Sequence, residues 1–154
     1  MGSDIHKTQF TNDDFEHYHQ RLNENLSAFR QLLAQPGFGQ GSPSFGAELE
    51  LYIIDKQACP SSINQEIHQQ MMDKQLTLEL NRFNLEYNFT PVQQAPAPFS
   101  KMKQQMEGAL TCLSEIAASH QARIIPIGIL PTLQVSDMGL DAITDVPRYH
   151  VLAK

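Results

Sequence analysis

The ten residues from 46 to 55, Gly-Ala-Glu-Leu-Glu-Leu-Tyr-Ile-Ile-Asp, constrain the fold more than any other stretch of this chain. Apolar and acidic residues alternate there with a period of two, the signature of a β-strand with one dry and one wet face. Glu48 and Glu50 therefore share one face, and Ala47, Leu49, Leu51 and Ile53 share the other. Such a strand needs cover on its apolar side only, which an antiparallel sheet backed by helices provides. The means to build it are present: 154 residues, 41% hydrophobic and 18% charged, suit one domain core and not a disordered tail.

Residues 1–10 are polar and aperiodic and read as an expression tag or frayed terminus, leaving 11–154 as a single unit. Thr11 or Asn12 can cap a helix, with Asp13 and Asp14 at its positive end. Phe15, Tyr18, Leu22, Leu26, Phe29 and Leu33 then recur at three- and four-residue spacing, an amphipathic helix of about six turns. Pro36, Gly37, Gly39, Gly41, Pro43 and Gly46 make a loop. The acidic strand is expected over 45–55, a short helix capped by Ser62 over 63–74, and strands over 76–80 and 85–89. Pro91 and the Ala95-Pro96-Ala97-Pro98 segment should be neither helix nor central strand. Ser100 opens a second long helix striped by Met102, Met106, Ala109, Leu110, Leu113 and Ala117. A strand over 123–130, a loop over 131–147 and the first turns of a helix over 148–154 follow. With no internal repeat, this order predicts an α+β fold: a largely antiparallel sheet with helices on one face.

Two glutamates on one strand face lie about 6.5–7 Å apart, near enough to reach a shared divalent cation or neighbouring cations. The alternation alone favours a plain solvated face, as in any half-exposed antiparallel strand. Glu79, in Leu76-Thr77-Leu78-Glu79-Leu80, and Glu86, in Leu85-Glu86-Tyr87-Asn88-Phe89-Thr90-Pro91, are single acids in otherwise apolar or neutral runs. Seven positions apart, they face opposite sides of an unbroken strand, whereas a turn or bulge at Asn81, Arg82 and Phe83 brings them to one side. Four glutamates on one face raise one another's pKa, and Mg²⁺ or Mn²⁺ is the usual compensation, bound with water and nucleotide phosphates. Pairing of Glu86 with Arg82 or another base is the alternative.

The remaining residues narrow the function classes. A net charge of −6, without a Lys or Arg cluster, argues against a nucleic-acid partner, while ATP stays compatible because cations can bridge carboxylates and phosphates. Two cysteines are too few for a disulfide framework, no apolar run approaches the roughly 20 residues of a membrane span, and 1–12 is too polar for a signal peptide. A cytoplasmic protein with no membrane partner is expected. His17 and His19 fall on different sides of the first helix, and neither Cys59 nor Cys112 has a catalytic partner motif. The loop Gly37-Phe38-Gly39-Gln40-Gly41-Ser42 lacks the last glycine of a dinucleotide loop and reads as a connection. Met71, Met72, Met102 and Met106 read as core packing.

Four blocks, taken in order, carry a resemblance. Gly46-Ala47-Glu48-Leu49-Glu50, the Leu85 to Pro91 run with Glu79 ahead of it, Ile125-Pro126-Ile127-Gly128-Ile129-Leu130-Pro131, and Arg148-Tyr149 resemble the N-terminal part of bacterial glutamate–cysteine ligases and their carboxylate–amine ligase relatives. The resemblance implies a glutamine-synthetase-like fold, in which an antiparallel sheet forms a funnel and its acids hold Mg²⁺ or Mn²⁺. It implies that ATP phosphorylates the γ-carboxylate of glutamate and that the amine of cysteine displaces phosphate, giving γ-glutamylcysteine for glutathione biosynthesis. It makes Glu48, Glu50 and Glu86 metal ligands, with Glu79 the acid preceding the last of them, and sets Arg148 and Tyr149 at the substrate site. The family continues into further metal ligands and phosphate-holding basic residues, so the chain is expected to be an incomplete N-terminal part, inactive alone and partnered by the remainder of a longer chain. Relatives with the same acidic strands join other amino acids or amines, which leaves the acceptor open. The expectation from a different class is a non-catalytic interaction domain with a solvated acidic face.

Overall fold

The computed structural model describes residues 7, 9–94 and 96–153. Residues 1–6 and 8 of the expected frayed terminus, together with Ala95 and Lys154, lie outside the described residues. The elements run α1 (Asn12–Leu33), β1 (Ser44–Phe45), β2 (Glu48–Ile54), α2 (Asn64–Met71), β3 (Leu76–Leu78), β4 (Asn84–Asn88), β5 (Val92–Gln93), α3 (Pro98–Ser119), β6 (Arg123–Ile125) and α4 (Pro147–Leu152). Four strands form one antiparallel sheet in the order β3-β4-β2-β6, and β1 pairs with β5 in a separate antiparallel ribbon.

The period of two decides which sheet face is dry. Leu51 and Ile53 of β2, Leu85 and Tyr87 of β4 and Leu76 of β3 are buried in one cluster with Ile67 of α2 and Met102, Ala109, Leu113 and Ala117 of α3. The two helices therefore cover one face of the sheet, as the alternation requires, and each fully buried Leu or Ile contributes about 1.5–3 kcal/mol. Thr11 caps α1 through a reciprocal pair: its Oγ1 accepts from the Asp14 amide at 3.4 Å, and its own amide donates to the Asp14 carboxylate at 2.9 Å. Lys7 hydrogen-bonds the same carboxylate, and this bond first, with those from the Thr11 amide and hydroxyl, lowers the Asp14 pKa to about 2. The apolar stripe of α1 nevertheless stays open, since no residue of that helix is buried.

Several boundaries differ from those expected. The strand over 45–55 is broken at Gly46 and Ala47, where the chain passes from the small ribbon to the main sheet. Ile63 and not Ser62 caps α2, without a side-chain bond, and the helix stops short of 74 because Met72 turns left-handed at φ 49°. That turn leaves Met72 87% exposed, so it is not core packing as expected. Pro98 belongs to α3, two residues before Ser100, because its fixed φ suits a first helical turn. The expected strand over 123–130 ends at Ile125, where Pro126 has no N–H to give the ladder. The stretch 131–147 is not wholly irregular and holds two short 3₁₀ turns, Val135–Met138 and Leu140–Ala142. No helix among the described residues is long and apolar enough to cross a membrane.

Candidate functional site

The sheet face turned away from α2 and α3 carries the acids. Glu48 and Glu50 alternate with the core residues of β2, and Asn84, Glu86 and Asn88 do the same on β4. In the register of the sheet Glu50 lies directly opposite Glu86, Glu48 opposite Asn88, and Thr77 of β3 opposite Glu86 on its other side. Residues paired this way have Cβ atoms about 4.5–5.5 Å apart, and like charges so placed destabilise the pair. The Glu86 carboxylate is held by neutral donors, Asn88 Nδ2 at 2.6 Å and Thr77 Oγ1 at 3.3 Å. The alternative pairing with Arg82 is not made: among the described residues none of the four glutamates forms an ion pair, and Arg82 Nε is buried without a hydrogen-bond partner.

Glu79 reaches the same face by a different route. It follows β3 in the turn through Asn81, Arg82 and Phe83, and that turn makes the two acidic runs a hairpin instead of one strand. Its place depends on a later segment. The Thr144 hydroxyl donates to the Glu79 carbonyl, the Thr144 amide donates to the Leu80 carbonyl at 2.8 Å, and Tyr149 Oη donates to the Leu78 carbonyl at 2.6 Å. Asn64 Nδ2 locks the arrangement by donating to Thr144 Oγ1 at 2.8 Å and to the carbonyls of Asn81 and Asn84 at 3.2 Å. Glu50 and Glu79 consequently line one hollow of about 210 Å³ together with Tyr52, Asn84 and Gly128. Glu48 opens on a second hollow, of about 350 Å³, beside Asn88.

The charges act on one another. Burial raises the Glu50 pKa, and Glu86 and Glu48 raise it further. Burial also raises Glu79, with a hydrogen bond from the Leu80 amide pulling the other way, Glu50 and Glu86 adding to the rise and Arg148 opposing it. The Tyr149 hydroxyl is pushed up by burial first and then by Glu79. Tyr149 is buried, whereas Arg148 is exposed with its guanidinium carbon 4.8 Å from the Tyr149 ring centroid. All six residues singled out in the sequence thus fall within one electrostatic neighbourhood. Among the described residues no three His, Cys, Asp or Glu side chains stand close enough as arranged to hold a metal ion. Drawing Glu48, Glu50 and Glu86 onto one ion requires side-chain rotation, which is open to Glu48 and Glu50 because both are exposed.

The raised carboxylates give a pH dependence with a definite sign. A folded-state pKa above the ordinary glutamate value of 4.5 means that the folded protein keeps protons the unfolded chain has released. Stability therefore falls as pH rises from 4.5 through the raised values and stays at its lower level above them. Glu50→Gln is expected to raise the urea midpoint only slightly at pH 7, because solvent around the exposed carboxylate screens the repulsion, and to give no gain well below pH 4.5. Urea midpoints at the two pH values check this.

Sequence reasoning passed over the polar residues that position the acids. Asn84 and Asn88 share the parity of Glu86, and Thr77 shares that of Glu79, so the alternation already marked them. Nothing local marks Asn64 or Thr144, whose partners are distant in the chain. Comparison with protein-family models, curated proteins and solved structures finds no match to this chain.

Proposed function

We propose that this chain supplies the cation-binding acidic sheet of an ATP- and Mg²⁺-dependent carboxylate–amine ligase of the glutamate–cysteine ligase type. The observation that supports this reading is the direct opposition of Glu50 and Glu86 on one sheet face, with Glu48 next along the strand and Glu79 lining the same hollow as Glu50. Such a cluster costs stability by itself, and a divalent cation removes that cost. The donor set, carboxylates without thiolate or imidazole, suits Mg²⁺ or Mn²⁺.

In this reading Glu48, Glu50 and Glu86 bind the cation, Thr77 and Asn88 orient Glu86, and Glu79 adds negative charge at the rim. Bound there, the cation neutralises charge between the phosphates of ATP and the acceptor carboxylate. Arg148, the exposed base nearest the cluster in its effect on Glu79, offers a guanidinium to a substrate carboxylate, and Tyr149 fixes its helix against β3. The substrates are glutamate, cysteine and ATP, the setting is cytoplasmic glutathione biosynthesis on a glutamine-synthetase-like fold, and the remainder of a longer chain supplies the groups that hold the phosphates.

Phosphate release from ATP by the complete protein tests the reading. It predicts release only with Mg²⁺ and glutamate present together with cysteine. Release that ignores glutamate, or none under any combination, overturns it in favour of an interaction domain with a solvated acidic face.

A further inference from the structure

Among the described residues α1 is a 22-residue helix that buries none of its side chains, and Phe15 and Tyr18 on its apolar stripe are 56% and 60% exposed. An amphipathic helix left bare along its whole length marks an interaction surface. The pattern of the stripe indicates what covers it. Phe15, Tyr18 and Leu22 recur eleven positions later as Leu26, Phe29 and Leu33, a repeat of 3.67 residues per turn that keeps the stripe nearly straight. About Leu22 the stripe also reads the same in both directions: reversing the helix sets Phe15 on Phe29, Tyr18 on Leu26 and Leu22 on itself. We propose that α1 pairs two copies of this chain antiparallel, with Leu22 on the two-fold axis.

Charge selects the antiparallel arrangement over the parallel one. The first turns carry Asp13, Asp14 and Glu16, and the last turn carries Arg30. A parallel pair stacks the acidic turn on its own copy and aligns the helix dipoles; an antiparallel pair brings Glu16 within reach of Arg30 of the second copy and opposes the dipoles. Phe10, which packs on Phe15 at 6.3 Å between ring centroids, then extends the contact toward Leu33 of the second copy.

The test is the mass of the chain in solution together with the geometry of crosslinking. At about 100 µM, above the micromolar range of modest protein contacts, sedimentation equilibrium is expected to give about 35 kDa, twice the 17.4 kDa of the chain. Leu22→Glu is expected to weaken association at least about 100-fold by setting two carboxylates against each other at the axis. Because α1 buries nothing within the chain, the thermal midpoint measured at a concentration low enough to keep both proteins monomeric should not move, which separates lost pairing from lost folding. With the exposed Cys59 and Cys112 changed to Ser, Leu22→Cys should form a disulfide-linked dimer. Phe15→Cys should crosslink to Phe29→Cys but not to itself. A monomeric mass at that concentration overturns the proposal and assigns the stripe to another partner. Self-crosslinking of Phe15→Cys overturns it in favour of a parallel pair.

Discussion

Replacing Glu50 and Glu86 together by Gln is expected, on the ligase reading proposed above, to cut Mg²⁺-dependent phosphate release at least about 100-fold, the loss of several kcal/mol of charge stabilisation. Gln keeps the shape of each side chain and removes only the charge. The two residues oppose each other across the ladder between β2 and β4, and replacing both leaves Glu48 as the one carboxylate of the three proposed ligands. The same change removes a like-charge pair from the folded state, and the apo protein should therefore become more stable as it loses activity. That opposite movement distinguishes a lost ligand from a damaged fold, since a damaged fold loses both. Kinetics and urea midpoints on one preparation measure the two quantities, and activity within about threefold of the unsubstituted protein would remove Glu50 and Glu86 from the mechanism.

Leu51→Ala is expected to lower the unfolding free energy by about 2–5 kcal/mol. Leu51 is fully buried, pairs with Leu85 in the sheet and belongs to the core cluster that includes Leu113 and Ala117 of α3. It also stands next to Glu50 in the chain, so packing on one face holds the acids in place on the other. Against a typical total of about 5–15 kcal/mol, the loss is large enough to populate the unfolded state. Urea midpoints at constant slope measure it, and a loss below about 1 kcal/mol would contradict the placement of Leu51 at the centre of the core.

The sheet and its acidic face were legible because β4 alternates throughout and β2 alternates from Glu48 to Ile53, and side-chain parity is a local property. Helix α3 was legible for the same kind of reason: Met102, Ala109, Leu113 and Ala117 repeat with the helical period and are the residues it buries. The break at Gly46 was not legible, because pairing of Phe45 with Val92 rests on a contact far along the chain. Met72 in a left-handed conformation carries no signal either, since a methionine rarely adopts one unless its surroundings impose it. Pro126 did carry the signal that ends β6, and the apolar run around it masked that signal. Glu79 shows the deeper limit. Its placement depends on Thr144 and Tyr149, whose bonds to the turn close loops of 65 and 71 residues, and no window of local sequence contains both ends. In α1 the pattern disclosed an apolar side correctly, but amphipathicity does not say whether the cover comes from the same chain.

Calorimetric titration of Mn²⁺ into the protein at pH 7, repeated on the Glu50→Gln/Glu86→Gln variant, measures the cation site directly and does not depend on turnover. A cation held by the acidic sheet face predicts saturable binding by the unsubstituted chain, strengthened by ATP, and its loss in the variant. Equal binding by both proteins, or no saturable binding by either, would contradict it.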